Sequence, residues 1–320
     1  MKNRTTIVIP LLVALAAGLW CVSGCGPREE TRLVHAWQLT PDGAYDGEPM
    51  RDPVVSWSPD SRSMVFTVVA RKTYKSSVMQ WNVGDERVTR VTYGGGANYV
   101  DNDTVLLYNS NPPSIIERNL KTGRVRQIAS DLRKIDLYRE ITGFTYNPVN
   151  KNLELRFSNF TRYYEPGCKA VDLAGKDLGN IPRATGDGVL DRGRDPKGGR
   201  SAVILGDLTT PAQELRISPE GQDTKGELIA AGNLGAVAWS PDGRVVAFAQ
   251  ANTVKTLDPK DKKIVTVARF GKLTDTGDQP YVCRLNWSPD GNYLAATEIL
   301  PIEGGMVEMI YVLDMSKVQR

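Results

Sequence analysis

Trp57-Ser58-Pro59-Asp60, Trp239-Ser240-Pro241-Asp242-Gly243 and Trp287-Ser288-Pro289-Asp290-Gly291 are three copies of one phrase, each followed by an apolar run of strand character. Degenerate copies lie at Asn147-Pro148-Val149-Asn150 and Asp195-Pro196-Lys197-Gly198. The prolines stand at 59, 148, 196, 241 and 289, so the last three intervals are 48, 45 and 48 and the first, 89, is about twice as long. A copy without proline, Tyr99-Val100-Asp101-Asn102-Asp103, fills the long interval and makes six units. A period of this length marks a repeat architecture.

The phrase is turn chemistry. Proline presets φ, aspartate bonds nearby amides, and glycine takes the left-handed conformation that closes a hairpin. Asn150 is the expected left-handed residue of the third copy, and Ser61 fits that role less well. Tryptophan ends the preceding strand and supplies a large apolar body between sheets. All these residues, Trp57, Pro59, Asp60, Pro148, Pro196, Trp239, Pro241, Asp242, Gly243, Trp287, Pro289, Asp290 and Gly291, read as structural.

Each unit resolves into four short strands. In the fifth these are Val237–Trp239, Val245–Ala249, Thr253–Leu257 and Ile264–Val267, rich in alternation and β-branched residues. Four strands in roughly 45 residues indicate an all-β, six-bladed β-propeller of antiparallel blades. The last unit is one strand short at Arg320, and Leu33–Thr40 supplies it, so the two chain ends share a sheet.

These repeats resemble the WD40-like repeats of the TolB family, in which Trp-Ser-Pro-Asp-Gly opens each blade. The resemblance runs from residue 31 to about 315 and is strongest in units one, five and six. It implies the propeller alone, without the α/β domain that precedes it in that family.

Residues 1–24 read as a lipoprotein signal peptide. Lys2 and Arg4 form a basic start, and Ile7–Trp20 is an apolar stretch of 14 residues, shorter than the ~20 a spanning helix needs. Val22-Ser23-Gly24-Cys25 resembles the bacterial lipobox, so Cys25 is the expected lipidation site; Cys21, after Trp20, is the poorer choice. Residues 25–32 read as a short tether and 33–320 as the propeller. Gly26 in place of an aspartate points away from inner-membrane retention, which places the protein in the cell envelope, facing the periplasm, on the outer membrane of a diderm cell.

Composition narrows the chemistry. Without Lys2 and Arg4 the chain carries 38 basic against 37 acidic side chains, and that neutrality argues against nucleic acid as a partner. His35 is the only histidine, which excludes histidine-rich zinc sites and leaves Ser-His-Asp hydrolysis, or the histidine-dependent lyases known on propeller folds, no free choice of base; without a Gly-x-Ser-x-Gly motif it reads as a packed or edge residue. Cys168 and Cys283 fall in distant units and read as buried small hydrophobes rather than a disulfide. No metal, cofactor or catalytic residue is expected. Gly94-Gly95-Gly96 reads as an inter-blade loop, Asp101-Asn102-Asp103 as a turn, and Asp187, Asp191 and Asp195 as too dispersed on strands to hold a metal. Acidic pairs such as Asp275 with Asp278 would serve general acid/base work only if they converge.

Binding is then expected on the long second-to-third and inter-blade connections: Pro41–Pro53, Arg71–Ser77, Asn109–Ser114, Asn159–Gly167 and Leu300–Met306. Phe160, Arg162, Tyr163 and Tyr164 form the candidate binding loop, since aromatics and arginine dominate binding hot spots. The reading is a monomeric, membrane-tethered module that binds protein or glycan partners. The competing reading is a carboxylate-based hydrolase or lyase acting on carbohydrate or peptide at the channel mouth.

Overall fold

The computed structural model describes residues 28–39, 55–70, 75–110, 113–130, 132, 140–147, 150–158, 167–174, 176–180, 189–206, 212–271, 280–302 and 305–318. Two short strands come first, β1 (Arg28–Thr31) and β2 (Ala36–Gln38). The first sheet follows with β3 (Ser56–Trp57), β4 (Ser63–Ala70), β5 (Lys75–Asn82) and β6 (Thr89–Tyr93), and the second with β7 (Gly95–Tyr99), β8 (Thr104–Ser110), β9 (Pro113–Asn119) and β10 (Val125–Ala129). The third holds β11 (Glu140–Asn147), β12 (Asn152–Ser158), β13 (Gly167–Val171) and β14 (Asp177–Asn180), and the fourth β15 (Val189–Arg194), β16 (Arg200–Leu205), β17 (Gln213–Pro219) and β18 (Glu227–Gly232). The fifth comprises β19 (Leu234–Trp239), β20 (Val246–Gln250), β21 (Thr253–Asp258) and β22 (Lys263–Arg269), and the sixth β23 (Tyr281–Trp287), β24 (Tyr293–Ile302) and β25 (Gly305–Asp314). Within each of these six sets the consecutive strands pair antiparallel in chain order, the arrangement of a propeller-type fold.

The phrases form one repeated turn. Ser58 Oγ donates to Asp60 Oδ1 at 2.7 Å and accepts from Ser63 N at 2.9 Å, while Arg62 N donates to Asp60 Oδ1 at 3.1 Å. Ser240 and Ser288 make the same bonds with Asp242 and Asp290. The serines are fully buried, and turn chemistry alone assigned them no part. Ser61, Gly243 and Gly291 hold φ of 60°, 66° and 73°. Ser61 bears the strain of that conformation while its hydroxyl accepts from Asp290 N at 3.0 Å, so the first phrase touches the last. In the third copy the left-handed residue is Lys151 (φ 51°), not Asn150. In the fourth, Asp195 takes the serine's place: it is buried, accepts from Lys197 N at 2.9 Å and is held by Arg200 at 2.7 and 3.0 Å.

Packing between sheets follows from period-two alternation. Met64, Phe66 and Val68 of β4 face Ile310 and Val312 of the sixth sheet, while Val65 faces Val105 and Leu107 of the second. On β20, Val246 and Phe248 meet Ile204 and Leu215 of the fourth sheet, whereas Ala247 and Ala249 meet Leu294 and Ala296 of the sixth. Each buried large side chain contributes about 1.5–3 kcal/mol. The first strands also clasp one another through polar groups. Ser56 Oγ accepts from Tyr99 N at 3.0 Å, Asn98 Nδ2 donates to Phe144 O at 3.1 Å, Asp191 Oδ2 accepts from Val237 N at 2.8 Å, and Asn286 Nδ2 donates to Val55 O at 3.3 Å. Trp57 Nε1 donates to Asn286 O and Trp287 Nε1 to Ala238 O, both at 3.3 Å. Trp239 Nε1 has no partner among the described residues, and the Arg200 guanidinium lies over its ring at 4.9 Å.

Three sequence expectations are corrected here. Residues 28–31, placed in a tether, form β1, which pairs in parallel with β22 from Arg28↔Lys263 to Thr31↔Thr266 and makes the fifth sheet five-stranded. Gly94-Gly95-Gly96 is no loop: Gly95 begins β7, and Gly96 N donates to Thr67 Oγ1 at 2.9 Å. A Cβ on Gly96 would stand 3.1 Å from the Phe144 ring, which explains the bare backbone. Asn109–Ser114 and Leu300–Met306 are extended hairpins rather than long loops, because pairing continues to Ser110↔Pro113 and Ile302↔Gly305. The strand expected at Leu33–Thr40 is β2, shorter at Ala36–Gln38, and it lies outside β25 with Trp37 opposite Val312. Asn147-Pro148-Val149-Asn150 is described only at Asn147 and Asn150.

Trp287→Phe should cost about 1 kcal/mol more than Trp239→Phe in urea denaturation, since both lose similar volume but only Trp287 loses a hydrogen bond. Equal losses would show that the indole bonds between sheets carry no net stability.

Candidate functional site

Two carboxyl groups stand out from those tied into turns. Asp191 projects from β15 with its carboxylate held by Arg192 N at 2.9 Å and Val237 N at 2.8 Å. Burial raises its pKa, opposed by these two amides and by the charge of Arg284 on β23. Both carboxylate oxygens therefore bind backbone, and the side chain works as a clasp between the fourth and fifth sheets.

Glu298 is different. It sits on β24, opposite Val282 and Met309, at a position where Leu294 and Ala296 on the same face are core residues. Its side chain is wholly buried, and neither carboxyl oxygen has a partner of ordinary geometry among the described residues. The surrounding wall is apolar: Phe270 stacks on Tyr311 with ring centres 4.2 Å apart, and Pro280 is buried beside them. Gly271 (φ 46°) allows this packing, because a Cβ there would come within 2.6 Å of Glu298 Oε1 and 2.8 Å of Pro280. Burial pushes the Glu298 pKa up to about 7, and the Tyr311 hydroxyl pulls it back only in part. Such a group can take up or give up a proton near neutral pH.

Around it on the same sheet lie Tyr281, whose phenol is pushed up by burial and then by Cys283 and Glu308, and Cys283, whose thiol donates to Thr297 O at 3.5 Å. Cys283 is half-buried and reduced, more open than the core position expected for it. Among the described residues no three metal-ligating side chains gather. Asp101 caps its own turn through Asp103 N at 2.9 Å, and Asn102 Oδ1 accepts from Asp60 N at 2.9 Å. His35 is exposed and meets Trp37 edge-on at 4.5 Å.

The turn residues Trp57, Pro59, Asp60, Pro196, Trp239, Pro241, Asp242, Gly243, Trp287, Pro289, Asp290 and Gly291 lie together at the end of the sheets where first strands turn into second strands. Glu298 lies further along β24, toward the hairpin end. Cys25, Pro148, the candidate loop Phe160, Arg162, Tyr163 and Tyr164, and Asp187, Asp275 and Asp278 lie outside the described residues, and nothing is described of the Cys168 side chain. Sequence reading missed Glu298. The signal was available: an acidic residue on the apolar face of a strongly alternating strand.

No known protein-family pattern matches the chain, and no curated protein does. Among solved structures it is similar to an oligogalacturonate lyase from Vibrio parahaemolyticus, with a TM-score of 0.54 and 11% identity, covering 92% of this chain and 100% of that one. TolB from Acinetobacter baumannii aligns with a TM-score of 0.39 and 17% identity over 65% of this chain and 52% of its own. The first likeness is one of fold, in line with the propeller-type architecture.

Glu298 gives the fold a pH dependence of defined sign. Its folded pKa lies above the ordinary carboxylate value, so its contribution is fully present in acid and is lost as pH rises toward 7. Between pH 5 and pH 8 it should remove about 2.5 kcal/mol of stability. Urea midpoints at the two pH values should converge in Glu298→Gln; an unchanged pH slope in that variant would place the effect elsewhere.

Proposed function

We propose that this protein is a lipid-anchored bacterial envelope lipoprotein whose six-bladed propeller serves as a non-catalytic binding or scaffolding module for protein or glycan partners. The observation that carries this reading is the use made of the first strands. Ser56, Asn98, Asp191 and Asn286, four polar side chains on or beside them, bind neighbouring sheets. Groups engaged in this way build a rigid frame rather than a reacting centre, and rigid frames present binding surfaces at their ends.

Ring closure through β2 is part of the same proposal. It is supported by the pairing of β2 with β25 and by the contacts that join the sixth sheet to the first, Trp57 to Asn286 and Asp290 to Ser61. Anchoring is supported by Lys2, Arg4, the apolar stretch and Val22-Ser23-Gly24-Cys25. The module is proposed to act as a monomer on the periplasmic side of the outer membrane.

One observation favours the second reading, a carboxylate-based hydrolase or lyase: Glu298 is a buried carboxyl whose pKa near 7 suits a general acid. One measurement tests the anchor and two separate the readings. Cys25→Ser should move the protein from the membrane to the soluble fraction and remove the lipid mass from the N-terminal peptide. Crosslinking in intact envelopes should then capture partners equally well with wild type and Glu298→Gln. Turnover of oligogalacturonate or peptide by wild type, lost in Glu298→Gln, would overturn the binding reading.

A further inference from the structure

β1 pairs with the outer edge of the fifth sheet, and its direction is informative. It runs parallel to β22, with Arg28 opposite Lys263 and Thr31 opposite Thr266, and the ladder continues through Arg32 N to Thr266 O at 2.8 Å and Val34 N to Val267 O at 2.9 Å. Two ion pairs fasten it: Glu29 to Lys255 at 2.7 Å and Glu30 to Lys263 at 2.5 Å. The Lys255 side chain is only 14% exposed whereas Glu29 is 54% exposed, so that pair is sheltered on the lysine side alone. Lys263 is the first residue of β22 and stands at the end of the turn joining β21 to β22. In an up-and-down sheet this is the same end as the Ser-Pro-Asp turns, and the hairpins at Ala70–Lys75, Ser110–Pro113 and Ile302–Gly305 are at the other.

Only Gly26 and Pro27 separate Cys25 from Arg28, a link whose Cα atoms span at most about 11 Å. A free tether reaching Leu33 would instead let a lipid-anchored domain rotate over tens of ångströms. From this geometry we infer that β1 is an orienting strap, which turns the Ser-Pro-Asp end of the propeller at the fifth sheet toward the lipid surface and aims the hairpin end away from it. This rests on the Cys25 anchoring proposed above. Main-chain pairing and covalent reach carry the strap, with the two ion pairs in support, and the adjoining turn holds charges of both signs, Lys260 and Lys262 beside Asp261, with Lys262 paired to Glu227, so the orientation is expected to change little with salt.

The test uses full-length acylated protein in phosphatidylethanolamine–phosphatidylglycerol vesicles containing a headgroup quencher, with Cys168 and Cys283 changed to Ala. A fluorophore is attached at Lys260→Cys, in the turn between β21 and β22, or at Asn109→Cys, near the hairpin end. Quenching should be several-fold stronger at 260 than at 109, at low and at high salt alike. Inserting a flexible Gly-Ser segment between Pro27 and Arg28 leaves β1 untouched and should erase most of the difference, and Glu29→Lys with Glu30→Lys should do the same by releasing the strap. Equal quenching at both positions in vesicle-bound wild type, or a difference that survives the Gly-Ser insertion, would overturn the inference. Protein that stays off the vesicles and lacks an N-terminal lipid would overturn the anchoring reading itself, a distinct result.

Discussion

The first strand of each sheet pairs with its own sheet along one edge only, so the backbone groups on the other edge must find partners across a junction or remain unpaired in a crowded interior. The chain answers with short polar side chains on the first strands. Serine, asparagine and aspartate have the reach to bond one backbone group of the next sheet while leaving the sheets in apolar contact behind them. Where no such side chain is available, between the fifth and sixth sheets, glycine does the work: a Cβ on Gly235 would lie 1.9 Å from Val282 O. Backbone then meets backbone, and Val282 N donates to Ala251 O at 2.9 Å. Any residue but glycine at 235 would force the two sheets apart.

The tryptophans of the phrase act in the opposite direction along the same seam. Trp57 and Trp287 each reach the carbonyl of a first strand in a neighbouring sheet, Asn286 and Ala238, and the contact between Trp57 and Asn286 is fastened from both sides because Asn286 also bonds Val55 O. Trp239 keeps the position and the burial but loses the bond, and the guanidinium of Arg200 covers its ring instead. Arg200 also grips Asp195, which replaces the serine of the fourth phrase. The fourth and fifth phrases thus each depart from the pattern in one place, and a single arginine serves both.

How much of this was legible in the sequence depended on how local its cause was. Turns written in Pro, Asp and Gly, and strands written in alternation, could be read directly, because the physics that sets them acts within five or six residues. The serine hub could not, since it shows only when Oγ is seen between an aspartate two residues on and an amide five residues on. Gly94-Gly95-Gly96 was read as a flexible loop because glycine signals freedom locally; here it signals the nearness of Phe144 from another sheet. β1 was missed for the same reason: Arg28-Glu29-Glu30-Thr31 has no strand character of its own and is ordered by Lys255 and Lys263, more than two hundred residues away. Glu298 was legible as a violation of pattern, yet its environment of Phe270, Gly271 and Pro280 is set wholly by tertiary packing.

The pairing of residues 28–38 with β22 and β25 also sets a timetable. The first described segment of the chain has no partner until its last strands exist, so two sheets stay incomplete while everything between them is being made. Such long sequence separations slow folding and keep late-forming edges exposed. On the envelope location proposed above, where the chain would be threaded through a membrane, that delay would be an advantage: the newly made polypeptide would not lock into its final form from the front, and it would remain extensible until its later strands arrive.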